Sequence, residues 1–143
     1  MSLGQHQELF ALLLPRLLDF IQKSGYRARL RELFRSDEQA EIHALGHAGR
    51  DRLALMLSEH PEFVQLARAL RNNTGNGVRE SVHSLGIAVD IMLFDEDGTF
   101  LTDTEDYAFA GDYWKRLHPA CRWGGDFRRR DGVHFSLAWG KLA

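Results

Sequence analysis

Residues 81–94 read SVHSLGIAVDIMLF, and this stretch decides the fold. Over residues 85–94, apolar or small residues occupy every other position, and Ile, Val, Leu and Phe are frequent. This composition over this length predicts a buried β-strand rather than a helix. Gly86 permits a turn or bulge before the strand. We therefore expect His83 to lie on the loop that enters the strand and Asp90 to lie within it.

Asp90 places a charge inside this apolar run. An ionised carboxylate in a buried strand costs several kcal/mol unless another group compensates its charge. A bound divalent cation would compensate it, and so would an arginine partner or a capping role in a turn. The strand alone leaves a metal ligand and a structural ion pair open as explanations for Asp90.

A second stretch, residues 131–139, reads DGVHFSLAW. Its alternation places His134 on the strand face opposite to the large apolar side chains that follow it. A neighbouring strand that carries His134 toward Asp90 would bring both residues close to His83. Two imidazoles, one carboxylate and an open fourth position are typical of a hydrolytic zinc centre. The sequence thus predicts one zinc ion held by these three residues, and the ligand set favours zinc over manganese or iron.

The candidate general base is Asp131, three residues before His134. A turn at Gly132 can fold the Asp131 carboxylate back beside a water molecule at the metal. Asp126 is a rival for this role, although its position after two glycines is more typical of a loop or turn.

A second pair of histidines offers a weaker alternative metal site. His43 and His47 are four residues apart and could share one face of a helix. The intervening residues lack the glutamate of the His-Glu-x-x-His zinc peptidase motif, and Gly46 weakens the helix. We therefore assign the metal to the first set.

The two stretches resemble the zinc D,D-carboxypeptidases and the phage L-alanyl-D-glutamate endopeptidases, which cut the peptide stems of the bacterial cell wall. The shared pattern is Ser-x-His-x-x-Gly-x-Ala-x-Asp, followed far downstream by a carboxylate-x-x-His-Phe. The matching positions are Ser81, His83, Gly86, Ala88, Asp90, Asp131, His134 and Phe135. The resemblance covers roughly residues 8–45 and 77–139, and it implies the same ligands and the same base.

Residues 32–39, ELFRSDEQ, are similar to the family's Glu-x-x-Arg-(Thr/Ser)-x-x-Gln segment. The resemblance implies that Arg35 has a catalytic and substrate-binding role, holding a substrate carboxylate or the developing oxyanion. Gln39 and Ser81 would assist it in binding substrate. Trp123 opens a Trp-Gly-Gly stretch like that of small phage members, and it either lines the substrate cleft or belongs to the core.

Length and composition fit one small domain over residues 1–143, with 44% hydrophobic and 27% charged residues. The predicted fold class is α+β, with helices packed on a small, mainly antiparallel sheet that carries the metal. A helical pattern at about 49–73 looks like an insertion relative to the compact phage members. This insertion could form part of the substrate cleft, a partner surface or a surface helical hairpin.

Turn and helix signals predict the elements around the central strand. We expect either an amphipathic helix pair or one Pro-kinked helix that reaches Lys23 and stops at Gly25, followed by an edge strand within 26–33. The run DEDG at 95–98 predicts a hairpin turn, and the pattern over 107–118 predicts a helix.

Charge and cysteine content restrict the classes of partner. The net charge of −2 gives no reason to expect nucleic acid binding. The basic triplet at 128–130 either meets anionic cell-wall polymers or forms a solvated loop. Cys121 is the single cysteine, so an intrachain disulfide is impossible and synthesis in a reducing compartment is expected.

The apolar run at 9–14 is too short to span a membrane and lacks a preceding basic region. We therefore predict no membrane insertion and no signal peptide, with synthesis in the cytoplasm and action on the cell wall after release. Given the resemblance, this release would require another exit, such as a phage holin pore.

The leading hypothesis is zinc-dependent hydrolysis of a peptide bond in peptidoglycan stems. Residues 101–106 and 113–114 resemble the phage subgroup. Together with the expected absence of a signal peptide, this resemblance favours an L-alanyl-D-glutamate endopeptidase of the phage or prophage endolysin type. A D-Ala-D-Ala carboxypeptidase is the alternative, because both substrates present a carboxylate to Arg35. A hypothesis of another class is a non-catalytic, metal-stabilised module that binds cell wall or a virion partner. Asp131 argues against that module, because a structural site needs no spare carboxylate.

Overall fold

The structure is a computed structural model, and it describes residues 1–33, 47–72 and 81–142. The chain divides into two units, one made of Met1–Phe34 and Val82–Ala143 and the other of Arg35–Ser81. The helices and strands, in chain order, are α1 Leu3–Lys23, β1 Arg27–Arg31, α2 His47–Ser58, α3 Val64–Asn72, β2 Ala88–Phe94, α4 Ala108–Leu117, β3 Cys121–Trp123 and β4 His134–Leu137. Helices and an antiparallel sheet together make the fold α+β, as the sequence predicts.

The sheet lies in the first unit and has the strand order β1-β2-β4-β3. Every pair of neighbouring strands is antiparallel. Strand β1 lies at an edge of the sheet, which confirms the edge strand predicted within 26–33. Strand β2, which belongs to the apolar stretch at 81–94, lies inside the sheet and pairs on both sides.

One face of the sheet forms the hydrophobic core. Val89, Ile91 and Leu93 of β2 are each 0% exposed and belong to the same buried cluster as side chains of α1 and α4. Because successive residues of a strand point to opposite faces, Asp90 points away from this cluster. The apolar alternation therefore separates the core from the face that carries the charged residue.

Helix α1 has defined signals at both ends. Ser2 and Gln5 form a capping box, in which each side chain bonds the other's backbone N–H. The helix ends at Lys23, and Gly25 follows with a φ of +89°, in the left-handed region that favours glycine. Pro15 lies inside the helix, which runs through it as one element. The predicted stop at Gly25 is confirmed.

The elements predicted after β2 are also found, with shorter bounds. The Asp95 N–H donates to the Thr99 carbonyl at 3.0 Å and Gly98 has a φ of +86°, so the DEDG run forms a turn. The strand after the turn is reduced to an isolated bridge between Phe94 and Phe100. The helix predicted over 107–118 is α4, preceded by a short 3₁₀ turn at Thr104–Tyr107.

The second unit contains α2 and α3, which account for the helical pattern at 49–73. Ala54 and Ala67 are buried between them, with Leu53 and Leu57 partly buried beside these alanines. The role of this segment as an insertion into a single domain stays a prediction. Among the described residues, we find no helix with the length and apolar character needed to cross a membrane.

Candidate metal centre

The loop before β2 carries His83. Residues 82–86 form consecutive turns, and the Gly86 N–H donates to the His83 carbonyl at 3.1 Å. Gly86 has a φ of +67°, a conformation that strongly favours glycine. The chain therefore turns between His83 and the strand, as the sequence predicts. Because His83 lies outside the strand, the alternation of side chains along β2 does not determine the direction of its side chain.

The pairing of β2 with β4 brings two further candidate ligands together. Asp90 lies directly opposite His134, the first residue of β4. Residues paired directly in an antiparallel ladder point to the same face of the sheet. Both side chains thus extend from the face opposite the hydrophobic core, where His83 meets them.

Three ligand atoms converge at this point. The distance from His83 Nε2 to His134 Nδ1 is 3.1 Å, and Asp90 Oδ1 lies 3.3 Å and 3.4 Å from these two nitrogens. Atoms bound about 2.0–2.1 Å from one zinc ion at the corners of a tetrahedron lie about 3.3–3.4 Å apart. The observed triangle therefore has the size of one face of a tetrahedral zinc site.

The carbonyl oxygen of Glu32 fixes the orientation of His83. It lies 2.5 Å from His83 Nδ1. A carbonyl oxygen only accepts hydrogen bonds, so Nδ1 carries the proton and the Nε2 lone pair faces the cluster. Glu32 has a φ of +50°, which turns its backbone at the end of β1. Sequence reasoning did not assign this contact, because any residue type supplies a backbone carbonyl.

The cluster is buried and its electrostatics favour a cation. His83 is 3% and His134 is 7% exposed. Asp90 Oδ1 is buried and has no hydrogen-bond partner among the residues that the structure describes. Burial raises the pKa of Asp90, and the imidazoles of His134 and His83 lower it by more when they carry protons toward the carboxylate. A cation between the three atoms satisfies all of them at once, whereas one shared proton satisfies a single pair.

Asp131 lies on the loop that leads into β4. Its N–H donates to the Gly124 carbonyl at 2.8 Å, and its carbonyl accepts from the His134 N–H at 3.2 Å. Asp131 is exposed to solvent. Partial burial and the negative charge of Asp90 raise the pKa of its carboxyl, while His134 and His83 oppose this shift. The carboxylate is therefore near the cluster and more basic than an ordinary aspartate.

Trp123 is buried under the Asp131 loop. It is 4% exposed, and its indole N–H donates to the Gly132 carbonyl at 2.8 Å. Its ring lies so close to Gly111 and Gly125 that neither position has room for a side chain. Of the two roles that the sequence left open for Trp123, this placement agrees with the core role. The indole hydrogen bond also connects Trp123 to the backbone next to Asp131.

The rival base Asp126 has a different environment. Its Oδ2 lies 2.8 Å from Lys115 Nζ, and its side chain is 53% exposed. The Lys115 ammonium also lies 3.2 Å from Asp112 Oδ1, so Asp126 belongs to a surface group of charges. The structure thus places Asp131, rather than Asp126, in electrostatic contact with the ligand cluster.

The structure describes only some of the remaining predicted site residues. Arg35, Gln39 and His43 lie outside the described residues. Ser81 is buried and is the last residue of the second unit. His47, of the weaker histidine pair, is the first residue of α2. Roles for these residues stay predictions.

We predict that Gly124→Ala weakens zinc binding and lowers the stability of the fold. A Cβ at this position would overlap the Asp131 carbonyl oxygen and lie 2.9 Å from His134 Cβ, so the loop and β4 must separate. Overpacking of this kind costs about 1–3 kcal/mol. Calorimetric zinc titration and thermal unfolding measure both effects.

Gly4→Ala is the matched control for that variant. Its added methyl group would lie 3.9 Å from the nearest side-chain atom, Ser2 Oγ. We expect normal zinc affinity and no loss of stability. Wild-type zinc affinity in Gly124→Ala would contradict the close contact between the loop and His134.

Residues 74–137 match a family model described as D-alanyl-D-alanine carboxypeptidase. The matched segment contains the three converging ligands and Asp131, which are His83, Asp90, His134 and Asp131. No curated protein matches the chain. The match covers 64 of the 143 residues and shows that this segment is similar to that family.

Proposed function

We propose that the chain is a zinc-dependent peptidase that hydrolyses a peptide bond in the stem peptides of bacterial peptidoglycan. The observation that carries the proposal is the convergence of His83 Nε2, His134 Nδ1 and Asp90 Oδ1 at tetrahedral spacing. The match to the carboxypeptidase family model over the same residues supports the class of substrate.

Each part of the centre has a separate task. His83, Asp90 and His134 would hold the metal, and the Glu32 carbonyl would keep the His83 ring in place. When bound, zinc supplies Lewis acidity toward a carbonyl oxygen and toward water. The Asp131 carboxylate takes the proton of the attacking water and then delivers it to the leaving amine.

Substrate binding needs at least one cation near the reacting carbonyl. Arg35 is proposed for this role because a guanidinium binds a carboxylate with two parallel hydrogen bonds. Gln39 and Ser81 are proposed to contribute further hydrogen bonds to the substrate. These assignments come from the resemblance of their sequence segments to the family.

Two bonds are candidates for cleavage. We propose the bond between L-alanine and D-glutamate, because residues 101–106 and 113–114 resemble the phage endopeptidases. The D-Ala-D-Ala carboxypeptidase reaction is the second candidate, favoured by the description of the matching family model. A non-catalytic binding module is disfavoured by Asp131, because a purely structural metal site needs no spare carboxylate beside its ligands.

We predict that the zinc-loaded protein releases free stem peptide from purified peptidoglycan, as detected by mass spectrometry. Endopeptidase cleavage separates the stem after its first L-alanine, whereas carboxypeptidase cleavage removes only the terminal D-alanine. The two products differ in mass, so one digest identifies the bond. Loss of D-alanine alone would replace the first candidate with the second, and an unchanged substrate would contradict the peptidase proposal.

A further inference from the structure

Strand β1 carries an arginine at every second position. Arg27, Arg29 and Arg31 pair in register with Phe94, Met92 and Asp90 of β2. Directly paired residues of antiparallel strands share one face of the sheet. The three arginines thus extend from the same face as Asp90 and form a row that ends beside the candidate metal centre.

The three guanidinium groups have different surroundings. Arg27 donates hydrogen bonds to the carbonyl oxygens of Asp95 and Glu96 at 3.3 Å and 3.1 Å, so it holds the turn after β2. The Arg29 guanidinium carbon lies 4.2 Å from the centre of the Phe94 ring. Stacking of this kind leaves the N–H groups at the rim of the guanidinium available.

Arg31 is the cation nearest the centre along β1. It is exposed, and within the part of the chain that the structure describes its side chain has no ion-pair partner. Cα atoms of directly opposite residues in an antiparallel pair lie about 4.5–5.5 Å apart, so Arg31 starts beside Asp90. The next residue, Glu32, contacts His83 through its carbonyl. Arg31 thus lies at the edge of the ligand cluster, and no described residue pairs with its charge there.

We propose that Arg31, assisted by Arg29, binds carboxylates of the peptide substrate next to the scissile bond. This inference rests on the proposed peptidase function and adds a binding subsite to it. Two residues along a strand span about 6.8 Å. A peptide chain that carries more than one carboxylate can therefore meet both cations at once.

The row of arginines also has an ordinary structural explanation. Charged side chains on an edge strand discourage association with the edge strands of other molecules. That role predicts aggregation when the charge is removed, and it predicts no change in substrate affinity. A change in KM when the charge is removed therefore distinguishes a binding subsite from a role in preventing association of edge strands.

The test compares Arg31→Gln with the wild type on soluble stem peptides, with free or amidated D-glutamate α-carboxylate. A hydrogen bond to a charged group contributes about 1.5–3 kcal/mol, so KM for the free-carboxylate peptide should rise about 10- to 150-fold. The amidated peptide should show little change. Arg31→Lys should restore part of the affinity, because it keeps the charge and loses the paired hydrogen bonds.

Arg16→Gln is the matched control. Arg16 is an exposed arginine of α1, on the opposite side of the sheet from Asp90. We expect wild-type KM from this variant. Equal KM values for Arg31→Gln and the wild type on both peptides would overturn the inference while leaving the peptidase function intact.

Two further results separate the remaining outcomes. If Arg31→Gln impairs cleavage only of wall fragments that retain phosphate polymers, the cation binds those polymers and the proposal is wrong. If the wild type cleaves no peptide, the peptidase function fails, and calorimetry with the free-carboxylate peptide still decides the subsite. In that experiment, equal affinity for the wild type and Arg31→Gln would refute the subsite directly.

Discussion

Asp131→Asn is expected to reduce stem-peptide hydrolysis by about 10²- to 10⁴-fold, the range that a general base contributes. The amide has nearly the same shape as the carboxylate but accepts no proton at neutral pH. Backbone groups of residue 131 hold the loop through Gly124 and His134, and these contacts persist in the variant. Zinc content and thermal unfolding should therefore match the wild type, and steady-state kinetics on purified stem peptide should show a fall in kcat.

Asp126→Asn is the matched control for the Asp131 prediction. It makes the same chemical change in the 3₁₀ turn Gly124–Asp126, where Asp126 pairs with Lys115 at the surface. Exposed ion pairs contribute about 0–1 kcal/mol, so we expect nearly full activity. Full activity in Asp131→Asn with loss in Asp126→Asn would exchange the two roles. Full activity in both variants would exclude either aspartate as the base.

Local sequence signals predicted β2 and its entry loop because they act within a few residues. Apolar alternation marked the strand, and Gly86 marked the turn that frees His83 from it. The carboxylate of Asp90 within the apolar run was informative for an energetic reason, since a charge in a buried strand requires compensation. The register that places His134 opposite Asp90 is non-local, and the sequence supplied only a plausible strand for it.

The contacts that backbone groups make were not predicted from the sequence. The Glu32 carbonyl orients His83 across 51 positions of sequence, and its side chain takes no part in that bond. The environment of Trp123 was also left open, because an aromatic residue suits a cleft and a core equally well. Its indole hydrogen bond to the Gly132 carbonyl became visible only once β3 and β4 were paired.

The arginines of β1 show the same dependence on register. Their alternation is plain in the sequence, but the face they occupy depends on the pairing of Arg31 with Asp90. A shift by one residue would move the three cations to the core face of the sheet. The contact between Glu32 and His83 opposes such a shift, because it joins the end of β1 to the entry loop of β2. The same contact thus supports both the ligand geometry and the position of the proposed carboxylate subsite.

Asp90→Asn is expected to abolish high-affinity zinc binding, the thermal stabilisation by zinc and stem-peptide hydrolysis together. An amide is a poor substitute for the anionic ligand that faces His83 and His134 at 3.3 Å and 3.4 Å. Zinc at about 100 times its dissociation constant stabilises the wild type by about 2.7 kcal/mol, which raises Tm by about 5–10 °C for a chain of this size. Scanning calorimetry of metal-free protein, with and without added zinc, measures the difference.

Asp97→Asn controls for loss of an aspartate near the same strand, because Asp97 is exposed on the turn after β2. It should retain the full zinc-dependent rise in Tm. Zinc binding by Asp90→Asn at wild-type affinity would show that another residue completes the site. A wild-type protein with the same Tm before and after zinc addition would remove the basis for the metal centre, because a ligand that binds only the folded state must stabilise it. The free energy of zinc binding thus tests the three converging side chains independently of any substrate.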